Sequence, residues 1–203
     1  MEASILIAFQ TLRLPGLTQI AALVSALGNF AFIWIVIAIV MMFFAGRRNV
    51  GVSIIIAVIL TGIVVGFIVQ PLIGRIRPYD AGIGVSAVMG VSRTGFSFPS
   101  FHAATSFAAA TVLASFMGRR AGIPACIGAG LIALSRLYLG VEYPTDVLGG
   151  IVIGVLLGLA STWLFNQFLH DFIRDHVGMP SGRNKRKSVA EPMRKPPARK
   201  RAR

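Results

Sequence analysis

The sequence predicts an all-α membrane protein, a bundle of about five spanning helices preceded by one helix lying along the membrane surface. Three observations carry this expectation. Of the 203 residues, 55% are hydrophobic and only 13% charged, and mean hydropathy is +0.76; a soluble domain carries about 25% charged residues. The apolar residues fall in uncharged runs long enough to cross a bilayer. The short turns between alternate runs are basic and match the basic C-terminal segment in sign.

Taken in order, residues 4–14 (SILIAFQTLRL) are apolar on one side and too short to span, and Pro15-Gly16 follows. They read as an interfacial helix. Residues 21–44 are the first span, 24 residues without a charge, enough to cross with some tilt. Gly46-Arg47-Arg48-Asn49 makes a basic turn, and residues 50–69 are the second span. Residues 70–98, with Arg75, Arg77, Pro78, Asp80, Arg93 and several glycines, read as a structured loop. Pro99-Ser100 opens a third span to about Met117, Arg119-Arg120 turns the chain, and residues 123–137 form a fourth span. LGVEYP leads to the fifth, from about Thr145 to Leu169. The divisions are thus 1–20, interfacial helix; 21–170, membrane domain; and 171–203, a basic tail rich in proline and expected to be disordered.

Charge sets the orientation. The net +13 is concentrated in residues 177–203, which hold ten Lys or Arg against Glu191 alone. With five spans, the tail, Arg47-Arg48 and Arg119-Arg120 share one face, which the positive-inside rule makes cytoplasmic. The chain is then multi-pass in a plasma membrane of bacterial type, N-terminus outside and C-terminus inside. Membrane lipids are its surroundings. The tail reads as a solvated topology anchor or as a binder of anionic headgroups; nucleic acid is disfavoured, because no aromatic pattern accompanies the charge. Cys126 is the only cysteine, so no intramolecular disulfide is possible.

The same count gathers the remaining ionisable residues on the opposite face, where charge at membrane depth marks a functional site by default. Three clusters converge there: Gln70-Pro-Leu-Ile-Gly-Arg75-Ile-Arg77-Pro78; Phe98-Pro99-Ser100-Phe101-His102; and Ser135-Arg136 through Glu142 to Asp146. Arg77 and Arg136 suit an anion clamp, since a guanidinium fork binds two phosphate oxygens and keeps its charge. Snorkelling is the competing reading for each taken alone, and it is the reading given to Arg75. Ser100, after a proline at a helix mouth, combines an N-cap with an anion-favouring helix terminus. His102, one turn in, is a structural histidine or a general acid for a leaving alkoxide. Asp146 caps the fifth span, or shares a face with Glu142 four residues earlier if that helix begins early. No cluster has metal-ligand spacing, and no cofactor is called for.

In order, spacing and topology the three clusters resemble the motifs of the type 2 phosphatidic acid phosphatase (PAP2) superfamily: Lys-x6-Arg-Pro, Pro-Ser-Gly-His and Ser-Arg-x5-His-x3-Asp. The resemblance covers about residues 20–168 and is closest, through SRLYLGVEYPTDVLGG, to bacterial membrane members. It implies removal of phosphate from a lipid phosphate, namely polyprenyl diphosphate, phosphatidate or phosphatidylglycerol phosphate. It implies phosphate ligands at Arg77, Ser100 and Arg136, a general acid at His102 and an orienting carboxylate at Asp146. It further implies a lysine at position 70, a glycine at 101 and a nucleophilic histidine at 142, where this chain has Gln70, Phe101 and Glu142. A carboxylate at 142 repels an anionic substrate, Gln70 removes a positive charge, and Phe101 puts a ring where backbone and phosphate would meet. The expectation is a PAP2-type phosphatase with impaired catalysis. The alternatives are a pseudoenzyme that binds or moves a lipid phosphate without turnover and, below both, a small channel or transporter.

Overall fold

The structure, a computed structural model, describes residues 2–88 and 95–169; Arg93 and the basic tail lie outside the described residues. Regular structure among the described residues is entirely helical. Helix α1 (Glu2–Thr11) is the expected surface helix, and Pro15 then opens α2 (Pro15–Gly28) from its first turn, where a missing N–H costs nothing.

The first span is not continuous. Asn29–Ala31 forms a single 3₁₀ turn between α2 and α3 (Phe32–Phe43), with Phe30 at φ 50° and Ala31 at φ 58°. Two consecutive non-glycine residues in left-handed geometry cost about 1–2 kcal/mol each, so neighbours must fix the turn. Gly28 lies against His102 and Ile132, closer than a Cβ would allow, and Asn29 Oδ1 stands 2.9 Å from His102 Nε2. Below the turn, Trp34 Nε1 donates to Ser106 Oγ at 2.9 Å. The two halves take different partners: α2 packs on α7 (Arg119–Tyr138), and α3 packs on α4 (Arg48–Thr61).

The second span runs on from α4 through a π-helical stretch, Gly62–Val69, into α5 (Gln70–Ile73), which ends at Gly74 with φ 63°. A π stretch advances fewer degrees per residue than an α-helix, and such stretches gather at functional sites; this one sets the angle at which Gln70 and Gly66 reach the next helix. Helix α6 (Phe101–Met117) is central, packed on α8 (Pro144–Leu164), α7 and α4. Its sides are Ala, Ser and Thr, and these are buried almost all round.

Four helical stretches are long and apolar enough to cross a membrane: Pro15–Phe43, Arg48–Ile73, Arg119–Tyr138 and Pro144–Phe168. The fifth expected span is α6, 17 residues. It would be about 25 Å long at 1.5 Å per residue, short for lipid contact but sufficient for a helix ringed by others.

The α6–α8 contact is a small-residue seam of the kind that lets membrane helices approach closely. Gly150, Gly154 and Gly158 share one face of α8. A Cβ on Gly150 would stand 2.6 Å from the Ser100 carbonyl and one on Gly158 2.6 Å from the Ala108 carbonyl, while at Gly154 it would strike the Ala104 carbonyl. At the end of the bundle where α6 and α8 begin, α1 lies across their termini with Leu6 buried among Val85, Ala103, Ala133, Leu137, Tyr143 and Val147. Gln10 and Arg13 pin its far end to Gly84, Ser86 and Tyr138.

Replacing Gly154 by leucine should lower stability by ~3 kcal/mol or more, because backbone cannot move aside as a flexible side chain does. Gly130→Ala, which meets nothing within 4 Å, should leave stability unchanged or raise it by ~0.5–1 kcal/mol. Thermal unfolding in detergent reads both.

Candidate anion-binding site

At that end of the bundle a cavity of about 340 Å³ is lined by Asn29, Phe30, Gln70, Arg77, Gly95, Phe101, His102, Arg136 and Glu142. Each comes from an element end or break. Asn29 and Phe30 belong to the turn in the first span, Gln70 opens α5, and Phe101 and His102 are the first turn of α6. Arg136 sits in the last turn of α7, and Glu142 in the connection to α8.

Both predicted clamp arginines are buried, Arg77 at 8% and Arg136 at 1% exposure, which excludes snorkelling for either. Arg77 is held by carbonyls: Nε donates to Gly95 at 3.0 Å, Nη1 to Val141 at 3.0 Å and Nη2 to Phe96 at 3.1 Å. Arg136 Nη1 donates to Ser25 Oγ at 2.7 Å and Nε to Glu142 Oε1 at 3.2 Å. The same Glu142 oxygen lies 3.7 Å from Arg77. One carboxylate therefore stands between two guanidiniums, while its other oxygen, Oε2, is buried without a hydrogen-bond partner. Burial alone would push the Glu142 carboxyl up; the Arg136 guanidinium, joined by that of Arg77, overrides it and holds the group below the usual carboxylate range.

Ser100 and Asp146 are buried and do not line the cavity. The Ser100 hydroxyl caps α6 by accepting from the Ala103 N–H at 3.0 Å, and its own N–H donates to the Asp146 carbonyl at 2.9 Å. Gln70 Nε2 donates to the Pro99 carbonyl at 3.0 Å and so secures the approach to α6. The Phe101 ring lies over Gly66, where a Cβ would be 3.8 Å away. Asp146 and Glu142 do not share a helix face, because α8 begins only at Pro144. Asp146 instead caps α8, Oδ2 accepting from the Tyr143 N–H at 2.8 Å, and Oδ1 accepts from Arg75 at 2.7 Å.

Arg75 is the clearest departure from the sequence reading. It does not snorkel: it pairs with Glu2 at 2.7 Å as well as Asp146, donates to Thr145 Oγ1 at 2.6 Å, and lies 4.0 Å over the Tyr143 ring. Two satisfied carboxylates and an aromatic face hold it in place, where the bilayer surface would have offered only water and headgroups. Sequence reasoning also missed Asn29 and Ser25, polar residues inside an apolar run. Gly28-Asn29 is a helix-stop signal, and it marked the break. Among the described residues, no group of three or more His, Cys, Asp or Glu side chains could hold a metal ion.

Three ordered polar clusters meeting at one membrane-helix cavity agree with what comparison finds. The PAP2 superfamily pattern matches residues 48–169. The chain belongs to the PAP2 superfamily. A protein of Sulfolobus acidocaldarius described as undecaprenyl-diphosphatase is 26% identical over 130 residues, 64% of this chain and 62% of that one, so the match leaves over a third of that relative uncovered. The decaprenylphosphoryl-5-phosphoribose phosphatase of Mycobacterium tuberculosis is 29% identical over 160 residues, 77% of this chain and 86% of its own. The crystal structure of a transmembrane PAP2-type phosphatidylglycerolphosphate phosphatase from Bacillus subtilis superposes with TM-score 0.66 at 27% identity, covering 83% of this chain and 86% of that one. This PAP2 protein is therefore an all-helical, polytopic membrane protein.

Removing one partner of the Arg136–Glu142 pair should be costly, about 3–5 kcal/mol for Arg136→Leu. Glu142→Leu in addition should restore much of the loss. Because the folded carboxyl lies below its unfolded value, the stabilisation from Glu142 is complete above the ordinary carboxylate range. It is lost as pH falls through the folded value. Melting in detergent from pH 7 to 3 should fall for the parent chain and be flatter for the double variant.

Proposed function

We propose that this PAP2 protein recognises a lipid phosphate at its outer face and that Glu142 suppresses its hydrolysis. The observation that carries this reading is the Glu142 carboxylate lying between Arg77 and Arg136, at the position where the family pattern has a nucleophilic histidine. A carboxylate there acts as an internal anion. It offsets charge that would otherwise meet phosphate, and an incoming phosphate must displace it or find it protonated.

In this reading Arg77 and Arg136 are the phosphate clamp, and the N-terminus of α6, capped by Ser100, adds a favourable dipole. His102, whose ring lines the cavity and whose Nε2 meets Asn29 Oδ1, is the general acid of this reading, which requires it to release Asn29 when it gives a proton to a leaving oxygen. Gln70 leaves the cavity less positive than lysine would, and Phe101 narrows it. Asp146 already has both oxygens engaged, so its support goes to the frame around Tyr143 and Arg75.

The ligand class follows from relatives whose names specify polyprenyl diphosphates, phosphorylated phospholipids and lipid A: a phosphate or diphosphate on a long apolar anchor. Charge places the N-terminus outside and the C-terminus in the cytoplasm. The basic tail, outside the described residues, fits anionic headgroups on that inner side.

Phosphate release from a polyprenyl diphosphate and from phosphatidate, measured on purified protein in detergent, tests this. The parent chain should turn over at least ~10²-fold more slowly than Glu142→His combined with Gln70→Lys and Phe101→Gly, the usual scale for losing positioned catalytic groups. Turnover of the parent chain at an enzymatic rate would overturn the suppression and make a Glu142 carboxylate nucleophile the leading mechanism.

A further inference from the structure

The break at Asn29–Ala31 opens a second feature besides the phosphate cavity. Helix α2 stays against α7 while α3 leaves it for α4, and the wedge between them is an apolar groove of about 410 Å³. Leu27, Ile33, Trp34, Pro124, Gly128 and Ile132 are among its walls. That volume falls within the range of ligand sites. Its floor is open at Gly128, where a Cβ would meet nothing within 4 Å.

Groove and cavity share a wall one glycine thick. Gly28 touches the His102 ring on the cavity side and Ile132 on the groove side; a Cβ there would stand 2.8 Å from both. The next residues, Asn29 and Phe30, line the cavity, and Phe30 is 87% exposed at the junction. We propose that this groove holds a hydrocarbon chain of the same lipid whose phosphate enters the cavity, the chain passing over Phe30 and lying along Trp34. The proposal rests on the lipid-phosphate reading and adds to it a recognition element for the anchor. The occupant is a chain because the walls are apolar and belong to membrane-spanning segments. It is this lipid's chain because groove and cavity flank the same break, Leu27 and Ile33 lining the one and Asn29 and Phe30 the other.

Occupancy by bulk lipid would simply follow its mole fraction, since groove and bilayer are equally apolar. This gives a direct test. The chain has two tryptophans, so Trp163→Phe leaves Trp34 as the only one, on the groove wall. The full chain carrying that change is placed in phosphatidylcholine vesicles with either phosphatidate or phosphatidylcholine brominated in its chains, at one low mole fraction. Binding of dihexanoyl phosphatidate, whose chains are too short to follow the groove, is measured by calorimetry on the same protein.

Brominated phosphatidate should quench Trp34 roughly threefold more than brominated phosphatidylcholine, a modest factor because only anchoring and packing distinguish the two. Gly128→Phe, which fills the floor, should remove the difference while dihexanoyl phosphatidate still binds. Val152→Phe, on the exposed side of α8, should preserve it. Equal quenching by both lipids with dihexanoyl phosphatidate bound overturns the groove and leaves the lipid-phosphate reading standing. No binding of dihexanoyl phosphatidate overturns that reading and the groove with it.

Discussion

Three charged groups that have left water must find partners, and this need organises the functional end of the protein. Arg136 and Arg77 are buried with Glu142 between them. A buried charge is tolerated only when paired and hydrogen-bonded, and the guanidinium bonds besides the ion pairs come from different parts of the chain. Ser25 brings in α2, the Gly95 and Phe96 carbonyls bring in the loop before α6, and the Val141 carbonyl fixes the turn before α8. Segments more than a hundred residues apart are positioned by one electrostatic requirement. The same requirement makes the cavity: an Arg77 tethered by carbonyls and an Arg136 tethered by Ser25 and Glu142 cannot collapse onto the facing wall.

Packing supplies the rigidity that such a site needs. Between helices in a bilayer there is no hydrophobic force to speak of, so close approach and dispersion contacts decide. The seam of Gly150, Gly154 and Gly158 on α8 brings its backbone against the carbonyls of α6, and the Ser100 N–H meets the Asp146 carbonyl at the top of that seam. Arg75 closes the assembly from above by joining Glu2, Thr145 and Asp146. The first turn of α6 is thus held on the side facing away from the cavity, and His102 is held from the other side by Asn29.

The sequence made the gross architecture legible because lipid imposes simple demands: long uncharged runs, basic turns on one face, polar residues only where they are used. The family followed from motif order and spacing, and the cavity gathers Gln70, Arg77, Phe101, His102, Arg136 and Glu142 as those motifs suggested. What stayed hidden was tertiary. Arg75 near a helix end looks like any interfacial arginine until Glu2 folds back over 73 positions to meet it. The run 21–44 looks like one helix because Phe30 and Ala31 are ordinary apolar residues, and only contacts made elsewhere hold them left-handed. Ser100 kept both roles open in the sequence, and its capping bond is the one the geometry displays.

The make-up of α6 bears on how the protein comes to be in the membrane at all. The 17-residue helix carrying His102, Thr105 and Ser106 is apolar but shorter than the four stretches long enough to cross alone. Its seat in the bundle depends on partners, and the one packed on it most extensively, α8, is synthesised after it. On this account the central helix is translated before the helix that secures it. A nascent chain halted before Gly150 would hold part of its site on a short helix still without the seam that fixes it.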